Sequence, residues 1–121
     1  MNVSGPSVAA AWRQFPKETW GEEIKLVIVH DELELPLGQV KVKNGESSAK
    51  GHNGLKSVNL VLRGMGGLAY TRICVGIGRP SSREPNVVAD YVLRKMSGGE
   101  RNKVEGTVGR VEEELRQLSG A

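Results

Sequence analysis

The sequence has a single cysteine and few aromatic residues, and both scarcities restrict what the protein can be. One cysteine among 121 residues cannot form an internal disulfide, which favours a reducing compartment. That residue, Cys74, lies in an apolar strand pattern, so we interpret it as a buried small hydrophobe rather than a nucleophile. Aromatic residues make up 4% of the chain, so the core must consist mostly of Val, Leu and Ile.

Long hydrophobic runs and a strong charge of one sign are also missing. Apolar runs such as LVIV are far too short to cross a membrane. The net charge of +3 permits a phosphate-rich partner without requiring one. The two histidines stand 22 positions apart, and with one apolar-strand cysteine they form no metal-ligand cluster. Hydrophobic residues at 38% and charged residues at 26% predict a folded globular chain.

Strand and helix patterns alternate along the chain, which predicts an α/β protein with one domain over residues 1–121. LVIV at 26–29 is typical of a strand buried on both faces of a parallel sheet. A second such strand lies within 70–80, and the residues at 40–43 form a short strand. These three strands make a thin sheet, so we expect part of the domain to precede residue 1. The predicted strands lie within 24–35, 40–43 and 70–80, and the predicted helices lie at 4–15, 55–64, 87–96 and, as one continuous helix, 104–118.

Asp31 is the first candidate for chemistry, because it follows LVIV at the carboxyl end of a strand. In open α/β sheets, ligands and catalytic groups gather at that end. The alternative is that Asp31 caps a turn. Successive side chains of a strand point to opposite faces, so we do not expect Asp31 to orient His30, which we interpret as structural.

The segment KGHNGLKS at 50–57 places His52 and Asn53 between two glycines at the start of a helix. Free N–H groups at a helix N-terminus favour anions such as a phosphate or a developing oxyanion. Glycines permit close approach of a ligand to the backbone. The alternative is that Asn53 simply caps the helix.

Basic residues cluster in the middle of the sequence, near this segment. They can bind phosphates, or they can form an ordinary solvated face, and the sequence leaves both interpretations open. The cluster consists of Lys41, Lys43, Lys50, Lys56, Arg63 and Arg72.

Taken together, several segments resemble the bacterial-type peptidyl-tRNA hydrolase family over nearly the whole chain. They occur in the family's order: MNVSG, VIVHDELELPLGQVKVK, SSAKGHNGLKS, RICVGIGRP and VADYVL. ESSAKGHNG is similar to the eukaryotic, fungal-like branch. The resemblance implies a single α/β domain with a twisted mixed β-sheet flanked by helices. It also implies cleavage of the ester between a peptide and the tRNA 3′ end, which recycles tRNA from stalled translation, without a metal or organic cofactor.

The resemblance implies catalytic roles for three residues. Asp31 matches the Asp that orients the general-base His, and Asn53 matches an Asn that binds the substrate near the helix holding the tRNA end. Asn2 matches a second substrate-binding Asn. His52 stands beside Asn53 as part of the same binding segment.

The resemblance also implies a contact with the tRNA 5′ phosphate. Lys43 matches the Lys of that contact, and Lys50 stands in the basic segment before Asn53. The usual Arg partner is replaced by Cys74. Arg72 lies two residues earlier on the same face of the strand. Whether Arg72 takes over the phosphate contact of the usual Arg is an open question.

One departure from the family concerns the general base. The family carries an N-terminal stretch of roughly sixty residues, judged from ordinary domain size, which holds the catalytic His. Neither His30 nor His52 matches that residue. We therefore expect a family member whose chain, as given, lacks the general base. The alternatives are a non-catalytic RNA-binding module of the splicing-cofactor type and an inactive fragment.

The expected partner is peptidyl-tRNA, with no membrane and no metal. We expect a monomer in the cytoplasm or the mitochondrion. An uncovered sheet surface or strand edge would give it a route to self-association.

Overall fold

The chain folds as an α/β protein with a three-stranded sheet and five α-helices among its described residues. The computed structural model describes residues 4–22, 24–45, 47, 52–66, 69–80 and 84–120. The strands pair in the order β1–β3–β2. The elements are α1 Ser4–Trp12, β1 Val27–Glu32, β2 Val40–Asn44, α2 Asn53–Gly64, β3 Thr71–Gly76, α3 Pro85–Leu93, α4 Gly98–Glu105 and α5 Val108–Leu118.

Strands β1 and β3 are parallel. The Thr71 N–H donates to the Leu26 carbonyl at 3.2 Å, and the Ile77 N–H donates to the Glu32 carbonyl at 3.0 Å. Both bonds join residues separated by the same number of positions, so the two strands run in the same direction.

Strand β2 is antiparallel to β3. The Gly45 N–H donates to the Tyr70 carbonyl at 2.7 Å, and the Gly76 N–H donates to the Gln39 carbonyl at 2.8 Å. The paired positions move in opposite directions along the two strands, which defines an antiparallel ladder. The mixed sheet and α/β class implied by the resemblance are therefore confirmed.

The chain divides into two compact units. The first unit comprises Met1–Ile28 and Lys43–Arg72, and the second comprises Val29–Val42 and Ile73–Ala121. The interpretation of residues 1–121 as one domain stays a prediction.

In the first unit, α1 packs against the apolar face of α2. The predicted face of α2 is confirmed, because Leu55, Val58 and Leu62 are all buried. Close packing of the two helices depends on Gly5, because an added Cβ there would clash with the Ser57 backbone. The Gly5 N–H also donates to Ser57 Oγ at 2.9 Å. The cluster built on this face contains Val58, Leu62 and Tyr70, with Val8, Leu26, Ile28 and Met65 packed against it.

Helix α1 is shorter than the sequence predicts. It ends at Trp12 rather than near Phe15, so Phe15 does not extend the helical face formed by Val8 and Trp12. Pro16 explains the early end, because the residue before a proline is disfavoured in the helical region. The Phe15 ring instead tilts against the Trp12 ring, with centroids 5.9 Å apart.

The burial of LVIV on both faces is a wrong prediction. Val29 of β1 is 47% exposed, and Ile28 is only partly buried. β1 is an outer strand of the three-stranded sheet, and among the described residues no element fully covers the face that carries Val29.

The C-terminal helix is also not continuous as predicted. α4 ends at Glu105 and α5 begins at Val108, with Gly106 and the buried Thr107 between them. Thr107 Oγ1 donates back to the Val104 carbonyl at 2.6 Å, which satisfies an end carbonyl of α4. Two apolar residues of α5 in the second unit are exposed, Val108 at 61% and Leu115 at 41%.

Helix α4 begins with a reciprocal cap. Ser97 Oγ accepts the Glu100 N–H, and the Glu100 carboxylate accepts the Ser97 N–H. Arg94 also donates to that carboxylate, and its hydrogen bond is the main reason why the Glu100 pKa falls to about 2.

None of the described helices combines the length and apolarity that a membrane span requires.

Candidate functional site

Helix α2 is capped by His52 rather than by Asn53. His52 Nδ1 accepts the Leu55 N–H at 3.1 Å from an extended backbone conformation. Asn53 is the first helical residue, and its side chain is exposed. The alternative that Asn53 simply caps the helix is therefore wrong. Its carboxamide instead stands at the partly positive end of a 12-residue helix.

The cap also determines which ring nitrogen of neutral His52 carries the hydrogen. Nδ1 accepts the Leu55 N–H, so the neutral imidazole has its hydrogen on Nε2. A ring in that state donates through Nε2 and has no available lone pair for deprotonating a water. His52 is thus suited to framing the binding segment and to donating a hydrogen bond, and not to general-base catalysis.

Asp31 is the penultimate residue of β1 and is partly buried. Its backbone carbonyl lies 2.8 Å from His30 Nδ1, so that nitrogen carries a hydrogen and donates. Alternation along the strand places the Asp31 carboxylate on the face opposite to His30. Asp31 therefore holds His30 through its backbone oxygen.

His30 Nε2 lies 3.4 Å from Cys74 Sγ, with the thiol as the hydrogen donor to the ring nitrogen. Cys74 is fully buried, which confirms its interpretation as a small core residue. Both ring nitrogens of His30 thus have contacts within the second unit.

Lys43 and Arg72 face each other across the β2–β3 ladder. The register set by the Gly45–Tyr70 hydrogen bond places residue 43 opposite residue 72, with both side chains on one face. Arg72 is only 1% exposed, and its Nη2 donates to the Ser47 carbonyl at 3.3 Å. The guanidinium is therefore inside the first unit, whereas Lys43 is partly exposed.

The described members of the basic cluster differ in exposure. Arg72 is buried, and Lys41, Lys56 and Arg63 are exposed. Lys50 and Asn2 lie outside the described residues, so their predicted roles stay predictions.

Tyr70, directly before β3, has a place in the site that the sequence did not reveal. Its hydroxyl donates to Asn59 Oδ1 at 2.5 Å. Burial raises the pKa of the Tyr70 phenol, and the nearby Arg72 charge partly opposes this rise. Asn59 was the one feature of the sequence that could have indicated this contact. It is a polar residue on the helical stripe of Leu55 and Leu62, where a buried polar group requires a hydrogen-bond partner.

The predicted residues fall into the two units. His52, Asn53, Lys43 and Arg72 belong to the first unit, and Asp31 belongs to the second.

Within the described part of the chain, no group of three or more His, Cys, Asp or Glu residues is arranged to hold a metal ion.

The chain is similar to proteins described as peptidyl-tRNA hydrolases. A family model described as Peptidyl-tRNA hydrolase matches residues 1–120. A peptidyl-tRNA hydrolase of Leptothrix cholodnii is 41% identical over 121 residues, which are 100% of this chain and 52% of that protein. One from Frankia casuarinae is 46% identical over 105 residues, which are 86% of this chain and 48% of that protein.

A solved structure gives the same result for the fold. The crystal structure of peptidyl-tRNA hydrolase from Acinetobacter baumannii is similar with a TM-score of 0.76 and 29% identity, covering 99% of this chain and 56% of that one. The chain thus spans about half the length of the relatives that it matches.

Proposed function

This chain belongs to the peptidyl-tRNA hydrolase family, and we propose that its first unit binds the acylated 3′ end of peptidyl-tRNA. The observation that carries the proposal is the exposed Asn53 carboxamide at the N-terminus of α2, next to the His52 cap. A carboxamide both donates and accepts, so it suits a substrate with ester and amide carbonyls beside ribose hydroxyls.

The reaction proposed for the whole protein is hydrolysis of the ester. A general base takes a proton from water, and the water oxygen attacks the ester carbonyl carbon. The bond from that carbon to the tRNA 3′ oxygen then breaks, and the 3′ oxygen takes the proton from the base to regain its hydroxyl. The peptide is released as a carboxylic acid that ionises to the carboxylate. Asp31 is proposed to orient the general-base His that the resemblance implies for the family. The positive end of α2 suits the developing oxyanion.

Lys43 is proposed to contact the tRNA 5′ phosphate. It is a partly exposed cation on β2, whereas the buried Arg72 hydrogen-bonds Ser47. The burial of Arg72 counts against a direct phosphate contact by that residue. The basic net charge of +3 agrees with an anionic partner.

Binding of an acceptor-stem RNA hairpin tests this assignment. We expect Lys43→Gln to weaken binding of the 5′-phosphorylated hairpin about tenfold, because a hydrogen bond to a charged group is worth roughly 1.5 kcal/mol. Binding of the hairpin without the 5′ phosphate should change by less than about twofold. Fluorescence anisotropy at constant salt measures both affinities, since phosphate contacts depend strongly on salt.

Lys95→Gln is the matched control, because Lys95 is exposed and lies in the second unit. It should leave the preference for the 5′ phosphate unchanged. Equal losses from Lys43→Gln for both hairpins would contradict the assignment and would leave Lys43 as a general electrostatic contributor.

One observation favours the second candidate, a non-catalytic RNA-binding module. Both histidines of the chain have ring nitrogens engaged in structural contacts, His52 with Leu55 and His30 with Asp31 and Cys74. By itself, this chain is then proposed to hold RNA without cleaving the ester. The fungal-like branch, a cytoplasmic or mitochondrial location and a monomeric state remain predictions.

A further inference from the structure

His52 and Asn53 stand at the start of α2, so the position of α2 decides where these two side chains lie. Gly45, the residue after β2, lies directly opposite Tyr70 in the ladder. Gly45 and α2 both contact Tyr70.

Gly45 is held by both the backbone and the ring of Tyr70. Its N–H donates to the Tyr70 carbonyl at 2.7 Å. A Cβ added to Gly45 would lie 2.5 Å from the Tyr70 ring, so the backbone here rests directly on the aromatic face. Only glycine permits this approach without displacing the ring.

The hydroxyl of the same side chain holds α2. Tyr70 is buried, and its Oη donates to Asn59 Oδ1 at 2.5 Å. Asn59 lies in the helix that begins with Asn53, and its neighbours on the stripe are apolar. A hydrogen bond in such surroundings is directional, whereas packing of Val and Leu side chains tolerates small displacements of a helix.

Arg72 makes a second contact, with Ser47 in the chain after β2. Its Nη2 donates to the Ser47 carbonyl at 3.3 Å, and the Ser47 N–H donates to the Asn44 carbonyl at 3.0 Å. Tyr70 directly precedes β3 and Arg72 lies two positions later, so strand alternation places their side chains on the same face. Residues of this one stretch thus contact Gly45, Ser47 and Asn59.

We infer that Tyr70 is a positioning residue that acts through Asn59 to set the position of the His52 cap and the Asn53 carboxamide. The inference rests on the proposed function, since it assigns the Tyr70–Asn59 bond a role in presenting Asn53 to the acyl end. Arg72 is buried and donates to the Ser47 carbonyl, so it is assigned to holding Ser47 rather than a phosphate.

The test separates positioning from stability with two variants. Tyr70→Phe removes only the hydroxyl, which leaves the Asn59 amide without this donor and lowers the midpoint of thermal unfolding. Tyr70→Phe combined with Asn59→Leu replaces both polar partners by apolar groups, which brings the midpoint back close to that of the wild type. If Tyr70 only stabilises the fold, the double variant should regain wild-type hydrogen exchange and RNA binding together with its unfolding midpoint.

Two measurements on the 121-residue chain decide between the roles. The first is amide hydrogen exchange at Leu55, whose N–H donates to His52 Nδ1. The second is the affinity ratio for an RNA hairpin ending in 3′-CCA, with and without an amide-linked N-acetylaminoacyl group that resists hydrolysis. In the double variant we expect about tenfold faster exchange at Leu55 and about a tenfold smaller affinity ratio.

Tyr91→Phe is the matched control, because it removes a hydroxyl that donates to the Ile77 carbonyl, also at 2.5 Å, in the second unit. It should change neither readout. Recovery of both readouts with the midpoint in the double variant would overturn the inference. If the wild type shows no preference for the acylated hairpin, the proposed function fails, and the exchange rate at Leu55 still decides the positioning role.

Discussion

Replacing Asn53 by Asp is expected to weaken binding of the 3′-acylated RNA hairpin by roughly 30- to 100-fold. The substitution keeps the shape of the side chain but removes its N–H donors and adds a negative charge beside an anionic ligand. A polar partner left unpaired in a binding site costs about 1–3 kcal/mol, and the repulsion adds to this loss.

The same substitution should leave the fold intact or make it slightly more stable. Asn53 is the first residue of α2, where a carboxylate interacts favourably with the helix dipole by about 0.3–1 kcal/mol. Affinity and stability are therefore expected to change in opposite directions. Anisotropy titrations and thermal unfolding of the same preparation measure the two effects.

Asn86→Asp is the control for the added charge. Asn86 is exposed and is the second residue of α3, so the substitution adds the same charge within the first turn of a helix in the second unit. It should change RNA affinity by less than about threefold, because a lone exposed charge contributes little. Equal losses from the two variants would show that Asn53 makes no specific contact.

Gly5→Ala is expected to destabilise the first unit by about 2 kcal/mol, although alanine is ordinarily the better helix former. A Cβ at position 5 would lie 2.7 Å from the Ser57 carbonyl carbon and 2.8 Å from Ser57 Oγ. α1 and α2 would have to separate, and overpacking of this kind costs about 1–3 kcal/mol. For a chain of this size we expect the unfolding midpoint to fall by about 6–12 °C.

Gly109→Ala provides the matched comparison, because Gly109 lies within α5 and an added Cβ meets nothing within 4 Å. There the gain in helix propensity should stabilise the chain by about 0.5–1 kcal/mol. Thermal unfolding of both variants checks the difference in sign. A Gly5→Ala variant as stable as the wild type would mean that α1 is not held closely against α2.

The sequence predicted the elements whose pattern is local. The alternating apolar residues of β2 and the helical spacing of Leu55, Val58 and Leu62 in α2 were sufficient to place both elements. The break at 106–107 was missed, because the apolar spacing continues across it from α4 into α5. A pattern of spacing carries no information about a buried Thr107 that closes one helix and precedes the next.

The site was predictable only as a set of exposed polar candidates. The exposure of Asn53 at a helix start followed from its glycine-framed segment, but the His52 cap did not, since imidazole is not among the preferred capping groups. The burial of Arg72 and the Tyr70–Asn59 bond depend on the β2–β3 register and on the packing of α2. Such contacts join residues distant in sequence, and no local pattern specifies them.

Single-turnover hydrolysis of an N-acetylaminoacyl-tRNA by the 121-residue chain tests whether the chain binds the acylated end while neither of its histidines serves as the general base. We expect saturable binding with ester cleavage at the uncatalysed rate, since a missing general base costs about 10²–10⁴-fold. Cleavage well above that rate, abolished by His52→Gln or His30→Gln, would contradict the account and identify the base within this chain.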